Sequence, residues 1–242
     1  MSLPPARMTA RSVVLSVLLG AHPAWATAAE LIRLTADFGI NENALRVALT
    51  RMVAHEDLIR SADGYRLSGR LLARQRRQDD ALAPPVQPWD GRWTTVVITS
   101  IGTDARTRSS LRKMLQENRF GELREGVWLR PTNLRPEMDD EIAERVRVLD
   151  SYDDAPAALA GQLWDLPTWA ATGRRLLDEM AGADGVPGRF VAAAAMVRHL
   201  LTDPVLPPEL LPPGWPGDQL RSAYAEFAAE LAARRHHIEV EA

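Results

Sequence analysis

The 242-residue chain contains no cysteine. That excludes a disulfide framework, a thiol nucleophile and any cysteine-ligated zinc or iron–sulfur centre, and it suits a reducing compartment. The histidines, His22, His55, His199, His236 and His237, include no i, i+4 pair, and adjacent residues on a helix point apart, so a histidine metal site is not expected. No Walker A loop, GxGxxG or GxSxG is present. No apolar run is long enough to span a membrane. Lysine occurs once, at Lys113, so arginine carries nearly all the positive charge.

Net charge is −3, and its distribution is uneven. Residues 1–83 carry 11 arginines against 8 acids, net +3, while residues 84–242 are net −6. A basic head on an acidic body is the pattern of a DNA-binding domain joined to something else. Apolar residues at 46% and charged residues at 25% match ordinary globular domains, which excludes wholesale disorder.

The first 26 residues have the outline of a secretory signal. Arg7 and Arg11 precede the apolar run Val13–Ala21, and Ala24-Trp25-Ala26 has the small-x-small form of a cleavage site. The same run places Val13, Val14, Val17 and Leu18 on one helical stripe. We read it as a core helix, because the next forty residues need it as a packing partner, and we expect a cytoplasmic protein.

Thr27 and Glu30 form a capping box, followed by an apolar stripe of Leu31, Leu34 and Phe38. Gly39 suits a left-handed helix end, with Ile40 packing the turn. Asn41 or Asn43 caps the next helix, which runs to about His55. Leu45, Ala48, Leu49, Met52 and Val53 share one face of it. Asn43, Arg46, Val47 and Thr50 share the other, with Arg51 to the side. Arginine pairs with guanine, asparagine with adenine, and valine or a threonine methyl meets thymine, so this face has a base-reading inventory. Leu58–Ser61 and Tyr65–Leu67 form a hairpin around an Asp63-Gly64 turn. The order is that of a winged helix-turn-helix, with Arg60 and Arg66 on the wing for phosphates or a minor groove. A polar helix from Leu67 to Ala83, with Arg70, Arg74, Arg76 and Arg77, is either a solvated connector or a backbone-contacting or dimer-linking element. Pro84, Pro85 and Pro88 mark a boundary.

Beyond it, Trp93–Thr99 reads as a strand and Asp104 caps a helix through Arg119, with Leu111, Met114 and Leu115 inward. Gly121–Glu125 and Gly126–Arg130 form a second hairpin, Pro136 opens a short acidic helix, and Arg145–Leu149 alternates as a last strand. This β-α-β-β-α-β order is ferredoxin-like. Then follow a helical stretch, Pro156–Met180, broken near Pro167, a helix Arg189–Leu201, an irregular Pro204–Pro216 segment, and a helix from an Asp218 cap to about Arg235. Trp164, Trp169 and Trp215 are read as core or interface. The expected class is α+β: winged helix with connector in 1–83, linker 84–91, ferredoxin-like domain 92–153 and helical domain 154–242.

Three segments resemble the PaaX-like regulators, the family of the phenylacetic acid degradation repressor. Ala44–Val53 is similar to the family's recognition helix. Trp93–Arg112, Phe120-Gly121, Gly126-Val127-Trp128 and Pro131 are similar to its central domain. Leu201–Pro212 with Trp215-Pro216-Gly217 resembles its C-terminal signature. The resemblance implies a Cas2-like central fold and a homodimeric repressor of a catabolic operon. Because one recognition helix reads too few base pairs and most soluble oligomers are two-fold dimers, the double-stranded DNA operator is expected to be an inverted repeat. The resemblance also implies release by an acyl- or aryl-CoA thioester. Arg106, Arg108, Arg112 and Lys113 on the central helix offer cations for CoA phosphates; they equally suit a solvated face or a second DNA contact. Two other readings compete. One is a scaffold docking a protein through its winged helix. The other is a Cas2-like metal-dependent nuclease, but the first central strand ends Thr99-Ser100-Ile101-Gly102 without an acid. We expect no enzyme, cofactor, metal or membrane partner.

Overall fold

The structure, a computed structural model, describes residues 8–99, 105–135 and 144–236, with backbone alone at 235 and 236. Asp104, the segment opened by Pro136, and His237 lie outside the described residues. The chain divides into two compact units. One comprises the chain up to Ala83 with Arg175–Leu201 and Gln219 onward; the other comprises Pro84–Arg174 and Thr202–Asp218.

The first unit begins with α1 (Ala10–Leu19), β1 (Trp25–Ala26), α2 (Ala28–Ala36), α3 (Glu42–Ala54), β2 (Leu58–Arg60), β3 (Tyr65–Leu67) and α4 (Gly69–Leu82). Val13, Val14 and Leu18 of α1 are fully buried and share a core with Leu31, Leu45, Leu49 and Met52. The stripe that suggested a core helix is therefore the face α1 turns inward. The carbonyls at its C-terminal end lack i+4 donors. Buried Gln75 of α4 supplies them, its Nε2 donating to Leu18, Leu19 and Ala21 oxygens at 3.3, 3.1 and 2.9 Å.

The capping box at Thr27 and Glu30 is formed in both directions. Gly39 has φ +68°, and Ile40 N–H donates back to Thr35, closing the turn between α2 and α3. Asn41 caps α3 by accepting from Ala44 N–H at 2.8 Å.

Two corrections concern the wing. Trp25 and Ala26, read as part of a cleavage-like motif, form a third strand, giving the sheet order β1-β3-β2. The Asp63-Gly64 pair is not the centre of the turn. Ser61 N–H donates to Gly64 O, so Ala62 and Asp63 are central. Glycine is required at 64 for space: a Cβ there would lie 2.4 Å from the Ala26 carbonyl oxygen.

The second unit contains β4 (Trp93–Ile98), α5 (Ala105–Glu117), β5 (Gly121–Arg124), β6 (Val127–Pro131), β7 (Val146–Ser151) and α6 (Pro156–Leu163). Its antiparallel sheet has the order β5-β6-β4-β7, the ferredoxin-like arrangement. In the β5–β6 hairpin Gly126 does need its left-handed backbone, with φ +78°. α5 stops two residues earlier than expected. Arg119 adopts φ +62° and Phe120 N–H bonds back to Leu115 O, so an arginine occupies the usual glycine position. Arg130 is buried, its Nη1 donating to Asn118 O at 2.8 Å, and burial pushes its guanidinium down to about 10.

The break near Pro167 falls at Trp164, whose backbone is extended. α7 (Leu166–Ala181) starts in the second unit and ends in the first. α8 (Gly185–Leu200) begins four residues before Arg189, behind Asp184. α9 (Gly217–His236) holds Asp218 within its first turn rather than as a cap. The proline-rich segment is not wholly irregular, since Pro208–Leu210 forms a 3-10 turn. Leu206 and Leu210 pack with Trp93, Leu159 and Leu166, and Trp164 and Trp215 flank that core. Trp169 stacks on Trp215 with centroids 4.3 Å apart. Asn133 Nδ2 donates to Val205 O at 2.8 Å, anchoring the same segment. In the first unit Phe190 of α8 packs edge-on against Phe38 and Phe227.

Candidate nucleic-acid interface

Burial divides α3 as the sequence pattern predicts. Leu45, Leu49 and Met52 are buried, while Asn43, Arg46, Val47, Thr50 and Arg51 are all exposed. Arg46 Nε donates to Glu42 Oε1 at 2.7 Å one turn earlier. An exposed pair of this kind is worth only about 0.3–0.5 kcal/mol, so a base or phosphate can displace it at little cost. Thr50 Oγ1 donates to Arg46 O at 3.0 Å, which leaves its methyl as the group to meet a base. Val47, half-exposed, supplies a second apolar contact of the size a thymine methyl takes.

On the wing Arg66 lies between two cross-strand neighbours, Ile59 on β2 and Trp25 on β1. Arg60 pairs instead with Tyr65. Successive strand residues face opposite ways, so Arg60 and Arg66 are exposed on opposite faces of the ribbon.

A residue the sequence reading missed holds this region together. Asp57, in the corner between α3 and β2, is 3% exposed at its side chain. One carboxylate oxygen accepts from Arg11 Nε and Nη2, the other from Arg70 Nη2 at 2.5 Å. No local spacing signals this, because the partners come from α1 and α4. It commits Arg70 to the fold. Arg74, Arg76 and Arg77 remain exposed along α4.

Arg106, Arg108, Arg112 and Lys113 are all exposed on α5, but they do not converge. At helical spacing Arg106 and Lys113 share one side, and Arg108 and Arg112 the opposite one. Arg112 pairs with Glu122 and lies over the Trp128 ring at 5.6 Å; Lys113 Nζ is 3.9 Å from Glu117. Among the described residues, no cluster of histidine and acidic groups is placed to hold a metal ion, and no helix is long and apolar enough to cross a membrane.

Comparison with protein families assigns all three parts of the chain. Residues 9–71 match the PaaX-like protein family, 86–153 the PaaX protein central Cas2-like domain, and 174–239 the PaaX-like protein C-terminal domain. The chain belongs to the PaaX-like family. PaaX-like proteins are in general transcriptional regulators. A solved structure, that of the uncharacterised protein Rv0674 from Mycobacterium tuberculosis, is 67% identical, with a TM-score of 0.86 over 94% of this chain and 97% of that one. No curated protein matches. In this PaaX-like chain the first family match runs from α1 through the wing into the start of α4. It therefore takes in the α3 face, both wing arginines and the Asp57 corner.

Proposed function

We propose that this PaaX-like protein is a homodimeric, ligand-released repressor that reads an inverted-repeat operator through α3. The observation carrying this reading is the exposed α3 face, with Asn43, Arg46, Val47, Thr50 and Arg51 outward on a helix whose other side is core. Arg46 and Asn43 supply base-edge hydrogen bonds, Val47 and Thr50 apolar contact, and Arg51, Arg60 and Arg66 phosphate contact. A protein-docking helix would present several large apolar groups, and this face presents one. Dimerisation doubles the sequence read, as a single recognition helix spans too few base pairs for useful specificity. The bare edge strand β7 favours pairing through the acidic body rather than the basic head.

Selection of bound fragments from genomic DNA, followed by footprinting, tests the proposal. Protection of an inverted repeat near a promoter supports it. Uniform, salt-sensitive coating of all fragments contradicts it.

A further inference from the structure

The first unit contains a cleft of about 220 Å³ between α1, α4, α8 and α9, remote in sequence from the reading face. Its walls are mainly apolar, with Val17 from α1, Phe190 and Val197 from α8, and Phe227 from α9. Polar groups also line it: Gln78 Nε2 donates to the Tyr224 hydroxyl at 3.4 Å, and Ser16 and His22 stand at the lining, His22 within 3.1 Å of Asp79. Burial pushes that phenol above its ordinary value, so it stays a neutral donor. Arg74 and Arg198, both exposed, contribute to the lining. Among the described residues neither has an ion-pair partner.

A mainly apolar interior with two uncommitted guanidiniums calls for a ligand with one anionic end and a hydrocarbon body. Size narrows the class. A cavity of about 150 Å³ takes a benzene ring, and drug-sized ligands occupy about 300–1,000 Å³. The cleft therefore suits a single ring or a medium chain, and the nucleotide of a CoA thioester would have to lie outside it. We infer that this cleft binds a free monocarboxylic acid with a medium-length apolar body, its carboxylate held by Arg74 and Arg198. The inference rests on the reading of the protein as a ligand-responsive regulator and assigns the effector site and class. α1 lines the cleft and shares its core with α3, so an acid that prefers one arrangement of these helices would shift operator affinity.

Isothermal calorimetry on the full DNA-free chain tests it, with octanoate, octan-1-ol, butyrate and octanoyl-CoA as probes. Octanoate is expected to bind at least tenfold more tightly than each of the other three. An Arg74→Ala/Arg198→Ala variant should lose at least tenfold for octanoate and little for octan-1-ol. Ala194→Leu and Ala228→Leu, which add volume at the lining, should each abolish octanoate binding while keeping the far-UV circular dichroism of the parent. Absent octanoate binding, equal binding of octan-1-ol, tighter binding of octanoyl-CoA, or full binding by both filled variants overturns the inference. Operator binding by ligand-free protein is measured alongside. Intact DNA binding without octanoate binding removes the cleft assignment alone, whereas octanoate binding without DNA binding removes the regulator reading.

Discussion

Asp57 grips Arg11 through both Nε and Nη2, at 3.1 and 2.8 Å, from a site where its own carboxylate is almost wholly buried. With Arg70 on the other oxygen, one acid ties α1 and α4 to the corner where α3 meets the wing. Both arginines are more than half exposed, so deleting Asp57 strands no buried cation. Asp57→Ala should then cost about 2 kcal/mol, the worth of hydrogen bonds to charged groups. Removing both arginines leaves a buried, unpaired carboxylate, and Arg11→Ala/Arg70→Ala should cost about 3–5 kcal/mol. In urea unfolding the double variant should lose more than the two single variants together. Simple additivity would contradict the shared role of Asp57.

The wing makes a prediction separable from that of α3. Arg66, outward beside Trp25 and Ile59, is proposed as a phosphate contact. Arg66→Ala should weaken binding to operator and random DNA by the same factor. The slope of log K against log salt should fall by about 0.9, as for one lost phosphate contact. Fluorescence anisotropy over a salt series measures both, and a loss confined to operator DNA would make Arg66 a base reader.

Legibility in the sequence followed the range of the interaction. The capping box, the Gly39 turn and the two-faced α3 are set by residues within a turn or two, so spacing alone displayed them. The alternating Arg145–Leu149 and the Gly126 turn made the central sheet readable in the same way. β1 was hidden because two residues carry no periodicity; it exists through pairing with β3, some forty positions on. Asp63-Gly64 reads as a turn centre from the sequence, whereas Gly64 flanks the turn and is needed for the close approach of the Ala26 carbonyl. Asp57 and the cleft were invisible because their partners are distant in sequence. The α5 cations form a cluster by count alone; helical spacing divides them between two faces and sets Glu117 one turn from Lys113, while the fold brings Glu122 of β5 beside Arg112.

For the proposed homodimer, the sheet edge predicts the interface. β7 ends the order β5-β6-β4-β7, with Val148 46% and Leu149 53% exposed, and Tyr152, just past its end, is 73% exposed. Val148 and Leu149 face opposite ways, so both sides of this edge carry uncovered apolar surface. Leu149→Glu should raise the dimer dissociation constant at least 30-fold, roughly the effect of an interface anchor worth about 2 kcal/mol. Sedimentation equilibrium reads it directly, and an unchanged dimer would place the interface elsewhere.

Alkaline stability tests the surroundings of Tyr224. Burial is the main cause raising its phenol; Asp79 adds to the effect and the Gln78 hydrogen bond opposes it. The unfolded chain loses this proton at about pH 10, the folded protein at higher pH. The contribution to stability is therefore complete below about pH 10 and lost as pH rises through the folded value. Arg130, lowered to about 10, acts in the opposite sense over this range, but it is common to both proteins compared. Urea midpoints of the parent should fall more between pH 9 and 11 than those of Tyr224→Phe. Parallel curves would contradict the assignment.

Whether α3 reads bases is decided by Arg46→Ala. Affinities of parent and variant are measured at one fixed salt concentration for the footprinted operator, its single-base variants and random DNA. Loss of a bidentate base contact should weaken operator binding by about 1–3 kcal/mol, relax preference at one or two base pairs, and leave random-DNA binding nearly unchanged. An equal loss on every sequence, or no loss at all, would contradict base reading by this face.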